Sequence, residues 1–405
     1  MTAMLIIGAG EAGIAAAGAL REAGHVGRVL VVGEEPHHPY ARPPLSKAVL
    51  TEDACPVEHI RSAEWLEERG IELWLGACVE SVDAAAHSAE IVRGAERCVV
   101  PYDKLLIATG AAPRHLPSLD PLGGLVTYLR NWEEAIALRS RLARAQSVVI
   151  VGGGVIGLEV ASSAIKLGCT VTVIEPAPRL MARALAAGTS EMLLDLHRTA
   201  GVYVRLGVGL ASAKLVDGYA ELTLDDGDRI DADLVVAAIG VVPNDLLASR
   251  LGCAVDQGIL VDANCATSVA DVFAAGDVAR LVHPLADEPI RVEAWQHARR
   301  HGAHAARAML GDTSPYAEIP WFWTDQHGVN IQVAGLPGLA DSHVERGATT
   351  LHLQGDRLIA ATTIDNGRDI RPATKMIAAG WSGPVAALTD PSIPLARLAQ
   401  APIPA

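Results

Sequence analysis

A chain of 405 residues, half of them apolar and without long polar or repetitive tracts, carries enough hydrophobic material for two or three domains with substantial cores. Its formal charge of −14 excludes a duplex nucleic-acid binder that works by neutralising phosphates, while leaving room for a local basic patch. Six cysteines (Cys55, Cys78, Cys98, Cys169, Cys253 and Cys265) form no CxxC or CxxxxC pair, so they read as the reduced thiols of a cytoplasmic protein, neither a disulfide framework nor a zinc site. Ser147 to Ile165 is apolar but is broken by glycines and Glu159, and the N-terminal apolar segment lacks a basic lead and carries Glu11. Neither a membrane span nor a signal peptide is expected. Only the proline-bearing C-terminal tail reads as disordered.

In chain order, Met4 to Glu34 (MLIIGAGEAGIAAAGALREAGHVGRVLVVGE) predicts a βαβ unit: an apolar run at Leu5 to Ile7, a turn through Gly8, Gly10 and Gly13, an alanine-rich helix, and a second apolar run at Val29 to Val32. Gly8 permits the tight turn, Gly10 lets backbone approach a pyrophosphate, and Gly13 lets helix and strand pack closely. The helix start faces the phosphates with unpaired N–H groups, and Glu34 is spaced to accept the hydroxyls of an adenosine ribose. Next comes EPHHPYARPPLSK. Pro43 and Pro44 are expected to keep Arg42 and Pro43 extended, so that a helix starts near Ser46 as N-cap. This stretch is either an ordinary proline-rich connection or one that holds Lys47 beside the ligand. Residues 62 to 76 read as a short helix and the strand IELWL, and residues 79 to 100 as a β-meander. In YDKLLIATGAAPR an apolar strand ends at Thr109 and Gly110, where backbone can pass close to a ligand. Loop-like composition from Pro113 to Pro121 then marks a domain crossing.

Residues 148 to 175 repeat the opening pattern: strand, then Gly152, Gly154 and Gly157, then a helix, a second strand and a terminal Glu175. ADLVVAAIGVVPN likewise echoes DKLLIATGAAPR. A duplicated series of features is far more specific than either glycine fingerprint alone, and it implies two dinucleotides. A carboxylate at Glu175 bonds the 2′-OH of NADH and repels the phosphate of NADPH, with Arg179 nearby to soften the preference. TSVADVFAAGDVAR ends a strand at Gly276 and Asp277, where the acid either reaches a flavin's sugar-alcohol chain or caps the next helix. Val292 to Leu310 predicts a helix whose start near Trp295 and Gln296 points N–H groups at an anion. His297, His301 and His304 share one of its faces; with no acidic or cysteine ligand beside them, they read as a solvated, arginine-flanked face and not as a metal site. From Pro320 onward, WFWTDQHG and NIQVAGLPG read as strands, Thr349 to Leu353 and Arg357 to Thr363 as a hairpin, and Arg371 to Ala379 as a helix.

The series GAGEAG, PYARPPLSK, ATGAAPR, GGGVIGLE, FAAGDVA and WFWTDQ, in this order, resembles the oxygenase-coupled NADH-dependent ferredoxin reductases over almost the whole chain, from about residue 4 to about residue 380. The resemblance implies an α/β fold with two Rossmann-like dinucleotide-binding domains of the glutathione-reductase type and a small α+β C-terminal domain. It gives an FAD domain at 1–112 and 243–315, an NADH domain at 113–242, and a third domain at 316–405. It further implies that Gly8, Gly10, Gly13, Glu34, Arg42, Lys47, Thr109, Gly110, Arg114 and Asp277 hold FAD. Gly152, Gly154, Gly157, Glu159 and Glu175 would hold NADH, and Trp295 and Trp323 would border the isoalloxazine. Lys47 and Glu159 are expected to form an ion pair beside the flavin that serves hydride transfer. Without a cysteine pair to relay them, electrons must leave the flavin directly, one at a time, to a 2Fe-2S ferredoxin serving a Rieske dioxygenase or a cytochrome P450. Such ferredoxins are acidic, so a local positive patch is expected, formed from Arg291, Arg299, Arg300 and Arg307 with Trp323. The segment DNGRDIRPATKMIAAG departs from the arginine-rich pattern of the family. The alternatives are an NADH oxidase or a quinone or small-molecule reductase, and a flavoprotein that senses NADH.

Overall fold

The computed structural model describes residues 2–390 and 392–400, and its chain divides into two compact units. The first comprises Met1–Ala41, Val57–Ala112 and Val242–Trp321; the second comprises Arg42–Pro56, Pro113–Val241 and Phe322–Ala405. Of the proline-bearing tail, residues 391 and 401–405 lie outside the described residues.

The first unit is built on a five-stranded sheet in the order Val272–Ala274, Lys104–Ile107, Met4–Ile7, Val29–Val32, Ile71–Trp74, parallel throughout. Runs such as MLII and VLVV are buried along their whole length, as a parallel sheet covered on both faces requires. The helix Glu11–Glu22 packs against the helix Trp295–Met309, and small residues allow the approach: a Cβ on Gly302 would lie 2.1 Å from the carbonyl oxygen of Ala12. Alanines from both helices fill this core. The expected meander forms from Ala77–Asp83, Ser88–Arg93 and Glu96–Pro101.

One expectation fails here. His297, His301 and His304 are buried, and their rings surround Tyr316, whose hydroxyl lies 3.0 Å from His297 Nδ1. Their spacing marks a helical face, but the sequence does not say which face is inward. Arg299, Arg300 and Arg307 take the outer one. Burial holds His297 down to about 3 and His304 below the usual imidazole range. No group of three or more His, Cys, Asp or Glu side chains able to hold a metal exists among the described residues.

The second unit repeats the plan, with Tyr203–Leu206, Thr170–Glu175, Ser147–Val151, Leu234–Ala237 and Val126–Thr127 in one parallel sheet and a three-stranded meander from residue 210 to 232. The same unit contains a five-stranded sheet in the order Trp321–Gln326, Val329–Gly335, Arg357–Ile364, Thr349–Gln354, Ser342–Arg346. Helix Gly367–Ala378 buries Ile370, Ala373, Met376 and Ile377. The strand Ser342–Arg346 gave no sequence signal because SHVER has one apolar residue; it is set by pairing with Thr349–Gln354. Two short helices, Val385–Thr389 and Leu395–Leu398, follow, tied down by Arg346, which donates to the carbonyls of Leu388 and Ile393.

The proline segment also differs from expectation. Pro43–Ser46 is a turn of 3-10 helix with both prolines at its start, and Arg42 is helical (φ −83°, ψ −25°) instead of extended. Proline's fixed φ suits the first helical positions. A short helix, Ala48–Thr51, follows with Lys47 as N-cap, so Ser46 does not cap it. No helix among the described residues is long and apolar enough to cross a membrane.

Candidate functional site

Each unit carries one glycine cradle, and the three glycines of each separate by what surrounds them. In the first unit, a Cβ on Gly8 (φ +115°) would sit 2.2 Å from the carbonyl oxygen of Ala108, and one on Gly13 would sit 1.9 Å from that of Gly8. These two positions are filled by backbone. A Cβ on Gly10 would meet nothing within 4 Å. The second unit repeats this: 2.4 Å to Ala238 for Gly152, 2.2 Å to Gly152 for Gly157, and open space at Gly154. Gly10 and Gly154 are also the N-caps of their helices, without any side-chain cap, so the first-turn N–H groups face that space. Open space lined by uncapped helix N–H groups fits a pyrophosphate in both units.

The two acids are not equivalent. Gly8 N donates to Val32 O and Gly152 N to Ile174 O, so Gly33, not Glu34, takes the place matching Glu175. Glu34 stands one residue further along, exposed. Glu175 is fixed at the mouth of its turn, accepting from Gly153 N at 2.6 Å and Ala177 N at 2.8 Å. Arg179, expected to soften the preference against an extra phosphate, donates instead to the carbonyls of Leu185 at 2.8 Å and Ala182 at 3.1 Å. Its guanidinium is spent on its own loop.

Glu159, on the helix that starts at the second cradle, is buried, and Lys47 Nζ lies 3.0 Å from its Oε1. The expected ion pair therefore forms, within the second unit. Ser46 Oγ donates to Oε2 of the same carboxylate at 2.5 Å and Thr324 Oγ1 to Oε1 at 2.7 Å. Asp325 Oδ2 is 3.8 Å from Lys47 Nζ, and the Trp323 ring centroid is 5.7 Å from it. Sequence reasoning missed Ser46, Thr324 and Asp325 as members of this cluster, although all three lie inside the motifs RPPLSK and WFWTDQ.

The remaining candidates divide between the units. Gly110 (φ +67°) follows Thr109, whose hydroxyl donates to Asn244 O at 2.8 Å; Asp277 follows Gly276 (φ +80°), and Trp295 opens its helix, all in the first unit. Arg42, Arg114, Lys47 and Trp323 belong to the second. Arg42 donates to Arg130 O at 2.6 Å, and Arg114 is exposed. Glu11, next to Gly10, is held above the usual carboxylate range by burial, with Arg299 opposing the shift.

The arginines of the expected positive patch lie beside carboxylates. Arg291 lies 2.8 Å from Glu293, Arg299 3.9 Å from Glu11, Arg307 3.8 Å from Asp312, and Arg300 pairs with Glu318. Each arginine has its own carboxylate. By contrast Arg368, Arg371 and Lys375 are exposed on one face of helix Gly367–Ala378, without an ion-pair partner among the described residues.

These paired cradles agree with what sequence and structure comparisons return. The sequence model described as pyridine nucleotide-disulphide oxidoreductase matches residues 2–302, and the one described as reductase C-terminal matches residues 321–399. The chain belongs to the pyridine nucleotide-disulphide oxidoreductase family. It is 39% identical over 399 residues to the ferredoxin–NAD(+) reductase component of an anthranilate 1,2-dioxygenase system from Burkholderia cepacia, covering 96% of this chain and 98% of that one. Among solved structures it is similar to putidaredoxin reductase in its covalent complex with putidaredoxin (TM-score 0.92, 31% identity, 98% of both chains). It is also similar to the ferredoxin reductase for the CYP199A2 system of Rhodopseudomonas palustris (TM-score 0.93, 32% identity, 98% of this chain and 100% of that one). In this chain the six cysteines form no CxxC pair.

Proposed function

We propose that this protein is an FAD-dependent ferredoxin reductase: it oxidises NADH and delivers the electrons singly to a 2Fe-2S ferredoxin serving a Rieske dioxygenase or a cytochrome P450, in the cytoplasm. The observation that carries this reading is the pair of like-built cradles, each with an open glycine, on a chain whose sequence holds no CxxC pair. Overall, NADH and two oxidised ferredoxins become NAD+, two reduced ferredoxins and one proton. When bound, FAD supplies an isoalloxazine that takes a hydride and returns electrons one at a time.

The chain's own residues do the rest. The helix N–H groups beyond Gly10 and Gly154 hold the two pyrophosphates, and Glu34 and Glu175 serve the riboses. Within the first unit Thr109, Gly110 and Asp277 complete the FAD set, with Trp295 bordering the ring. Glu159 anchors Lys47, whose side chain remains 23% exposed, so the ammonium is held in place yet open on one side. A fixed cation there orients the nicotinamide and offsets developing negative charge without having to reorganise. The exposed stripe Arg368, Arg371 and Lys375, without an ion-pair partner among the described residues, is a better match for an acidic ferredoxin than the arginines of Trp295–Met309, each of which lies beside a carboxylate. The assay that tests the function compares NADH-driven reduction of a 2Fe-2S ferredoxin with oxygen uptake. Ferredoxin reduction faster than oxygen uptake is expected, and the reverse would favour an oxidase.

A further inference from the structure

On its buried side the Lys47–Glu159 pair continues into a column of polar side chains, all in the second unit. Thr324 Oγ1 lies 2.7 Å from Glu159 Oε1, Gln326 Nε2 2.9 Å from Thr324 Oγ1, His197 Nε2 2.8 Å from Gln326 Oε1, and His327 Nε2 3.1 Å from His197 Nδ1. Thr324, Gln326 and His197 are no more than 1% exposed, while His327 is half-buried at the outer end, its backbone N–H donating to Ser162 Oγ at 2.8 Å. Apolar residues would fill these positions without the cost of burying polar groups, which is offset only when every group is satisfied.

The protons in this column can be placed. A carboxylate paired with Lys47 only accepts, so the single hydroxyl hydrogen of Thr324 points at Glu159. Thr324 must then accept from Gln326, which turns the amide nitrogen toward Thr324 and the amide oxygen toward His197. His197 therefore carries its proton on Nε2 and accepts on Nδ1, and His327 donates from Nε2. Every hydrogen that bridges two members of the column points toward Glu159, while the second amide hydrogen of Gln326 faces Met181 Sδ at 3.9 Å. Other polar groups facing the pair are Ser46, which donates to Oε2, Asp325, 3.8 Å from Lys47, and the carbonyl of Pro43, which accepts from Lys47 Nζ at 3.5 Å.

We infer that this proton-ordered column fixes the Glu159 carboxylate for Lys47, with Gln326 and His197 as positioning residues acting through Thr324. The inference rests on the role given above to Lys47 and Glu159, and its two arms separate it from that reading. The first needs no electron acceptor: nitrogen-15 NMR of histidine-labelled, FAD-loaded protein at about neutral pH should show His197 and His327 neutral, with the proton on Nε2 and Nδ1 bare. A proton on His197 Nδ1 overturns the inference.

The second arm is anaerobic rapid mixing with NADH. In His197→Phe the amide of Gln326 loses its orienting donor, and losing one buried hydrogen bond should slow flavin reduction about tenfold at full FAD content. His197→Gln, whose amide donates to Gln326 and accepts from His327, should return the rate to within about twofold of the parent. A His197→Phe protein with full FAD and the parent rate overturns the positioning role. So does an equal loss in both variants. If His197→Phe does not fold, the tautomers of the parent and the rate of His197→Gln decide. Absence of any NADH-driven flavin reduction in the parent protein would instead count against the proposed function, leaving the tautomers to stand or fall alone.

Discussion

The cradle glycines predict opposite outcomes for two substitutions three residues apart. Gly154 has φ −86° and ψ −177°, a conformation open to alanine, and a Cβ there would meet nothing within 4 Å. Reduced freedom of the unfolded chain favours Gly154→Ala by about 0.4 to 1 kcal/mol. Losing glycine as N-cap costs about 0.5 to 1 kcal/mol, so stability should stay within about 1 kcal/mol of the parent. The methyl group does enter the space offered to the pyrophosphate. Displacing one charge-assisted N–H to phosphate bond costs about 1.5 to 3 kcal/mol, a roughly 10- to 100-fold rise in the Kd for NADH. Gly157→Ala is the converse: its Cβ would lie 2.2 Å from Gly152 O and 3.2 Å from Ala238 Cβ, so the helix must withdraw from the turn. Overpacking of that kind costs about 3 kcal/mol. Denaturant unfolding alongside calorimetric titration with NADH separates the two. A Gly154→Ala protein that binds NADH like the parent, or is as destabilised as Gly157→Ala, refutes the assignment of the open glycine to phosphate.

Three further outcomes follow from the geometry. Glu175→Ala removes the acceptor of two turn N–H groups as well as the ribose partner, so NADH should bind about tenfold more weakly and the advantage over NADPH should narrow; unchanged relative kinetics would remove Glu175 from the ribose site. Burial holds His197 and His352 down to about 4, so both are neutral in the fold while the unfolded chain takes up protons below its ordinary imidazole range. Stability is therefore full above about pH 6.5 and falls by roughly 1.4 kcal/mol per pH unit for each histidine as the pH drops toward 4; a flat urea midpoint across that window would contradict it. Arg368→Glu with Arg371→Glu should slow ferredoxin reduction several-fold, more at low salt, and spare ferricyanide reduction, whereas Arg299→Glu with Arg300→Glu should do less; the opposite ranking would return docking to the helix Trp295–Met309.

What the sequence disclosed was what backbone constrains. The parallel strands announce themselves as buried runs, and the cradle glycines stand where a Cβ would strike a carbonyl or enter open space. The duplication made both cradles legible together. The ion pair came only through family resemblance, because Lys47 and Glu159 lie 112 positions apart with no local pattern linking them. Ser46 looked like a helix cap until the fold brought Glu159 to it, and His197 gave no signal, since a satisfied buried histidine has no periodicity of its own. His297, His301 and His304 showed a face but not its direction. Likewise a list of residues does not show which carboxylates fold back onto the arginines of that helix.

The central claim is that two like-built cradles serve one flavin and one nicotinamide, with no sulfur relay between flavin and ferredoxin. Its most direct test is the visible spectrum of the purified protein, titrated anaerobically with NADH and then with oxidised 2Fe-2S ferredoxin. The account predicts a yellow protein whose flavin band bleaches on adding NADH and returns as ferredoxin is added. A colourless protein from an FAD-replete preparation, or a bleached flavin that ferredoxin leaves unchanged while oxygen restores it, would contradict it.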